Sequence, residues 1–191
     1  MPTLRLTDDA DADALLSRNP FALMVGMVLD QQIAMELAFL GPHRFAERLG
    51  GELTPARVAA VDPEELEEVF RTKPALHRYP GSMASRIQAL AAAIVEGYDG
   101  DAARIWQDVD SGRELKRRLT QLPGFGEQKA SIFLALLGKQ CGITPDGWQQ
   151  AAGDYGLEGY RSIADVTDPD SLARVRETKQ AAKAAAKAAR R

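Results

Sequence analysis

Gly124-Phe125-Gly126 lies between Leu122-Pro123 and a long apolar run, so that LPGFGEQKASIFLALLG occupies residues 122–138. Glycines two apart permit a tight hairpin with positive φ and leave backbone N–H groups uncovered by side chains. With the N-terminus of the next helix, opened by Gln128 and Lys129, those amides can be aimed at an anion. Phe125 would plug the hairpin into the core. A loop of this kind can grip a DNA phosphate without reading sequence, and the same residues also suit a plain helix connector. A second stretch with binding chemistry is KPALHRYPGSMASR, residues 73–86, which with Arg71 holds four cations and no acid, interleaved with His77 and Tyr79. It fits either a phosphate strand or a basic surface linker. Cys141 stands alone, so it forms no internal disulfide and cannot by itself hold zinc or an iron–sulfur cluster. No metal site is expected.

The elements that must carry these residues read as helices throughout, and alternating strand-like runs are hard to find. The fold class is all-α. Thr7 is placed to cap a first short helix, and Asn19-Pro20 is a cap with a first-turn proline opening FALMVGMVLDQQIAMELAFL. That segment is apolar nearly all round, which predicts burial over most of its circumference. Gly41-Pro42 should end it. Thr54-Pro55 and Asp62-Pro63 repeat the signature before two short helices, the second with an exposed acidic face of Glu64, Glu65, Glu67 and Glu68. A further helix is expected from about Ser82 to Gly97, and one or two short ones between 101 and 120.

The hairpin segment LPGFGEQKA resembles the helix-hairpin-helix motif of the HhH-GPD DNA glycosylase superfamily. Two further matches support the resemblance. The loop GITPDGWQQAAGDYG puts Asp146 eighteen residues after Gln128, where the family has an aspartate before a helix, and MVLDQQIAMELA (27–38) is similar to the family's glutamine-bearing helix segment. The resemblance implies a two-lobed helical domain over residues 1–170 whose lobes share a cleft; residues 171–191 read from their composition as a basic Lys/Ala-rich tail, helical or frayed. Asp146 would then stabilise the oxocarbenium charge that develops as an N-glycosidic bond breaks, unless it merely caps the helix beginning near Trp148. Gln32 would approach the space left by the flipped nucleotide. Gly124, Phe125, Gly126, Gln128 and Lys129 would form the phosphate-binding hairpin. Trp148, Tyr155, Tyr79 and His77 are candidates for the base pocket.

Family members that also cut the strand carry a lysine where this chain has Gln128. One helical residue turns a side chain by about 100°, so Lys129 should face elsewhere. The resemblance therefore implies a monofunctional glycosylase of base-excision repair, without a cofactor beyond room for a monovalent cation at the hairpin. Its partner would be duplex DNA with a lesion or mismatch, met by a monomer. Pro145 and Trp148 depart from the valine and histidine that usually flank the family's aspartate. They support the alternative of a catalytically inactive DNA-binding or lesion-sensing protein.

Composition fits a globular protein of 191 residues that is 45% hydrophobic and 27% charged. No apolar run reaches the roughly 18 residues of a membrane span, and the acidic opening TDDADAD has no signal-peptide pattern, so a cytoplasmic, nucleoid-associated protein is expected. The formal net charge of −3 argues against nucleic acid, but it averages two opposite parts. Residues 171–191 hold seven Lys/Arg against the single acid Glu177.

Overall fold

The computed structural model describes residues 3–188; the last three residues of the expected tail, 189–191, lie outside the described residues. Among the described residues the chain is all-α, with no strand and one isolated bridge between Ser111 and Asp146. Helix α1 (Ala10–Arg18) is capped by Asp9, whose carboxylate accepts from the Ala12 amide at 2.8 Å. Thr7 is not the cap. Its hydroxyl donates to Asp13 at 2.9 Å, and that carboxylate also takes the Leu6 and Thr7 amides.

The long apolar segment forms two helices, α2 (Pro20–Leu29) and α3 (Met35–Leu49). Asn19 caps α2 with proline in its first turn, and Phe21 through Leu29 are all buried, as the all-round apolar pattern predicts. The break at 30–34 contains Gln32 at φ +60°, a left-handed conformation uncommon for a residue with a Cβ. Gly41 and Pro42 end nothing, because both lie inside α3. A Cβ at Gly41 would sit 2.6 Å from Leu29 Cδ1, and one at Gly26 would sit 2.7 Å from Phe39 Cδ1. These glycines let α2 and α3 approach closely, and that packing overrides the breaker signal.

Thr54 and Asp62 cap α4 (Pro55–Ala60) and α5 (Pro63–Arg71) as expected. Both pack on α6 (Pro80–Tyr98). After a 3-10 turn at Ala102–Ile105 come α7 (Gly112–Thr120), the buried α8 (Glu127–Gln140), the short α9 (Trp148–Ala152) and α10 (Pro169–Ala188). Helix α8 carries the second half of the chain, with α7 and α9 against it and α2 touching it from the first half. Its C-terminal end is tied to the turn at Ile163–Asp165. Lys139 Nζ lies 2.6 Å from Asp165, and the Gln140 amide donates to the carbonyls of Ile163, Ala164 and Val166. This holds the approach to α10, whose Leu172 and Val175 enter the core.

Candidate functional site

A cleft of about 1130 Å³ opens where the α2–α3 break meets the hairpin before α8. Gln32 stands exposed at its edge, and four contacts from distant parts of the chain hold the break that presents it and the end of α2 before it. His77 Nε2 donates to the Gln31 carbonyl at 2.7 Å, and Arg86 donates to the Gln31 side chain at 2.9 Å. The Tyr79 hydroxyl lies 3.4 Å from Gln32 Oε1, and Lys129 Nζ donates to the Val28 carbonyl at 2.6 Å. His77 accepts the Tyr79 amide on Nδ1 at 3.0 Å, so the proton sits on Nε2 and the ring is neutral. Burial, reinforced by the nearby Lys129 and Arg86 charges, keeps its pKa below the ordinary histidine value. A left-handed residue held by this many partners is the kind of local strain that collects at functional sites.

The hairpin forms the opposite wall. Gly124 has φ +87°, and a Cβ there would meet Val28 Cγ2 at 3.0 Å and Arg86 Cδ at 3.2 Å. Phe125 is buried and meets Phe133 edge to face at 5.5 Å, so it does plug the hairpin into the core. Gly126 caps α8 without a side chain, and a Cβ there would touch nothing. The first amides of α8 therefore have no side-chain cap where Gly126, Gln128 and Lys129 line the cleft, which is an anion-receptive arrangement.

Gln128 and Lys129 both line the cleft but act differently. The Gln128 amide donates to the Tyr155 hydroxyl at 2.8 Å. The Lys129 amine turns to the C-terminal end of α2, and burial draws its pKa down to about 8, against the opposing pull of Asp30. Asp30 has a side chain only 12% exposed and lies 3.7 Å from Lys179 Nζ. Asp154 is exposed beside Tyr155 and also faces the cleft.

Asp146 is not brought together with these groups. Trp148 packs on Gly138, where a Cβ would fall 2.4 Å from the indole, and the Ile143 amide returns to the Leu137 carbonyl at 3.0 Å. Both contacts hold the Asp146 loop at the C-terminal half of α8. Gln128 lies ten residues earlier on α8, about 15 Å along the axis at ~1.5 Å per residue. Asp146 instead lines a separate groove with Ser111, Arg113 and Lys116. Its main chain is paired to the start of α7: the Gly112 amide donates to the Asp146 carbonyl at 2.8 Å, and the Asp146 amide donates to Asp110 at 3.2 Å. The α9 cap position belongs to Gly147, so Asp146 does not act as that helix's side-chain cap.

Of the four base-pocket candidates only Tyr155 lines the cleft. Trp148 is wedged against α8, and His77 is buried beneath the α2–α3 break. Tyr79 is 45% exposed, with Arg78 over its ring at 5.5 Å. Asp30, Gln31, Asp154, Arg161 and Lys179 are the cleft residues that sequence reasoning missed. The flanking glycines of Gly153-Asp154-Tyr155-Gly156 were the one available signal, marking a tight turn that exposes its acid. No group of three His, Cys, Asp or Glu side chains is placed to hold a metal ion among the described residues, and no described helix is long and apolar enough to cross a membrane.

Comparison with protein families matches residues 25–190 to the model described as HhH-GPD superfamily base excision DNA repair protein. No individual curated protein and no solved structure matches the chain.

Proposed function

Because the chain belongs to the HhH-GPD superfamily of base-excision DNA repair proteins, we propose that it is a monofunctional DNA glycosylase acting on a damaged or mispaired base flipped out of a duplex. The observation that carries this reading is the convergence of Gln32, the uncapped hairpin amides and the Asp154 carboxylate on one cleft. The hairpin amides grip a phosphate and set the register of the duplex, while Gln32 enters the space vacated by the extruded nucleotide. Asp154 stabilises positive charge on the sugar as the base leaves with the bonding electrons. The same carboxylate takes a proton from the water whose oxygen bonds to C1′, leaving an abasic site. The Lys129 amine is spent on the Val28 carbonyl and Gln128 cannot form an imine, which supports hydrolysis over strand cutting.

Asp154 takes the role here in place of Asp146, whose loop is anchored at the other end of α8. Single-turnover base release from duplexes carrying alkylated purines, uracil, oxidised bases or mismatches tests the reading. Asp154→Asn should slow release by about 10²–10⁴-fold, and Asp146→Asn should remain near wild type. The opposite pattern would return the role to Asp146, and no abasic product from any duplex would refute the glycosylase. The separation of Asp146 from the cleft favours one second reading, a catalytically inactive lesion-sensing protein. It predicts salt-sensitive duplex binding that survives both substitutions with no base released.

A further inference from the structure

The last helix is packed only at its beginning. Ser171, Leu172 and Val175 are buried, and from Arg176 to Ala188 every residue is exposed. Its middle is nevertheless laid along the cleft. Arg176 pairs with Glu36, Lys179 lies 3.7 Å from Asp30 and 3.6 Å from Met35 Sδ, and Thr178, Lys179 and Ala182 line the cavity wall. Beyond Glu177 the described part of the helix has no acid, and its cations recur at Lys179, Lys183 and Lys187. A four-residue step on a helix overshoots one turn by only about 40° and rises about 6 Å. The three ammonium groups therefore form one stripe about 12 Å long, beginning in the cleft and continuing beyond it. Most of the remaining positions are alanine, the strongest helix former, which suits a helix that must stand without a core behind it.

We propose that α10 is a second DNA-contact surface, an arm whose lysine stripe follows the phosphate backbone of the duplex seated on the hairpin. The inference rests on the reading that the cleft receives DNA, and adds the element that carries the duplex beyond it. Charge complementarity and continuity with the cleft select this occupant. An anionic lipid surface fits less well, because the outer half of α10 has no Leu, Phe or Trp to insert. A plug that closes the cleft would need the outer half to lie across it, whereas α10 residues beyond Ala182 do not line the cavity.

The test is fluorescence anisotropy of the full chain with an undamaged labelled duplex across a salt series. The comparison is between wild type and Lys179→Gln/Lys183→Gln/Lys187→Gln, with circular dichroism as a check on helix content. Loss of three phosphate contacts should flatten the slope of log affinity against log salt by about 2.7, at ~0.9 per contact, and weaken binding at low salt. An unchanged slope overturns the proposal. So does tighter binding by the variant, which would make α10 a barrier, and so does wild-type binding to phosphatidylserine vesicles but not to duplex. Base release is measured separately: a flattened slope with no base released from any lesion keeps the arm and refutes the glycosylase.

Discussion

Replacing Gly138 by alanine tests the geometry that separates Asp146 from the cleft. In an ordinary helix interior the change stabilises by about 1 kcal/mol, because glycine is the poorer helix former. At Gly138 the added methyl would lie 2.4, 2.5 and 2.8 Å from Cε3, Cζ3 and Cδ2 of Trp148. Carbon contacts prefer about 3.5–4.0 Å, so the indole must withdraw by more than 1 Å. It cannot slide freely, since Gly112 already packs against its main chain, where a Cβ would be 2.3 Å from Trp148 Cα. Displacing about 100 Å² of aromatic contact costs about 2.5 kcal/mol at ~25 cal/mol per Å². Offset by the propensity gain, the variant should be less stable by about 1.5 kcal/mol, a fall in Tm of roughly 3–6 °C. Urea unfolding gives the free energy, and Trp148 emission in a Trp106→Phe background reports the ring's environment through a red shift. A variant about 1 kcal/mol more stable than wild type, with unshifted emission, would show that Trp148 does not rest on α8. Asp146 would then have no anchor on α8 through Trp148.

Gly124→Ala places a Cβ at φ +87°, which costs about 1–2 kcal/mol, against Val28 and Arg86. Urea unfolding should show that loss of stability in full, whereas Gly126→Ala, with open space around its Cβ, should keep wild-type stability. Lys139→Met leaves Asp165, whose side chain is 6% exposed, without its ion-pair partner. It should cost about 3 kcal/mol in urea unfolding, part of it recovered by adding Asp165→Asn. His77 has a folded pKa below its unfolded value of about 6.5. The unfolded chain therefore gains a proton first as pH falls, and stability should decline from about pH 6.5 downward while being unaffected above it. The urea midpoint of His77→Gln should show a flatter dependence across that window.

The helix starts were legible because they are local. Asn19-Pro20, Thr54-Pro55 and Asp62-Pro63 each satisfy their own first-turn amides within three residues. The break at 30–34 was not, since it has no glycine or proline and is held by His77 and Arg86, which donate to Gln31 from 46 and 55 residues away, and by Lys129, which takes the Val28 carbonyl at the end of α2 from 101. Gly41-Pro42 misled for a related reason: the contact with Leu29, which no local rule anticipates, uses the missing Cβ inside the helix. The hairpin was legible to the level of Phe125. The place of Asp146 was not, although its eighteen-residue spacing matches the family. Spacing measures chain length, and the chain between Gln140 and Asp146 is spent folding back on Leu137 and pairing with Asp110 and Gly112. The residues that return to Gln128 are eight to nine positions further on, at Asp154 and Tyr155.

The formal charge of −3 misdescribes the surface that meets DNA for the same reason: a sum over the chain has no position in space. Acids on the outer face of α5 are exposed and partly paired, with Arg71 bound to both Glu67 and Glu68. Around the cleft the signs reverse, with Arg86, Lys129, Arg161 and Lys179 set against Asp30 and Asp154. Screening limits exposed charges to about 10 Å at 0.1 M salt, so a phosphate in the cleft responds most to the charges that line it. Within that range the two acids are unequal. Asp30 is nearly buried and lies beside Lys179, which offsets its charge, whereas Asp154 is exposed to the cleft.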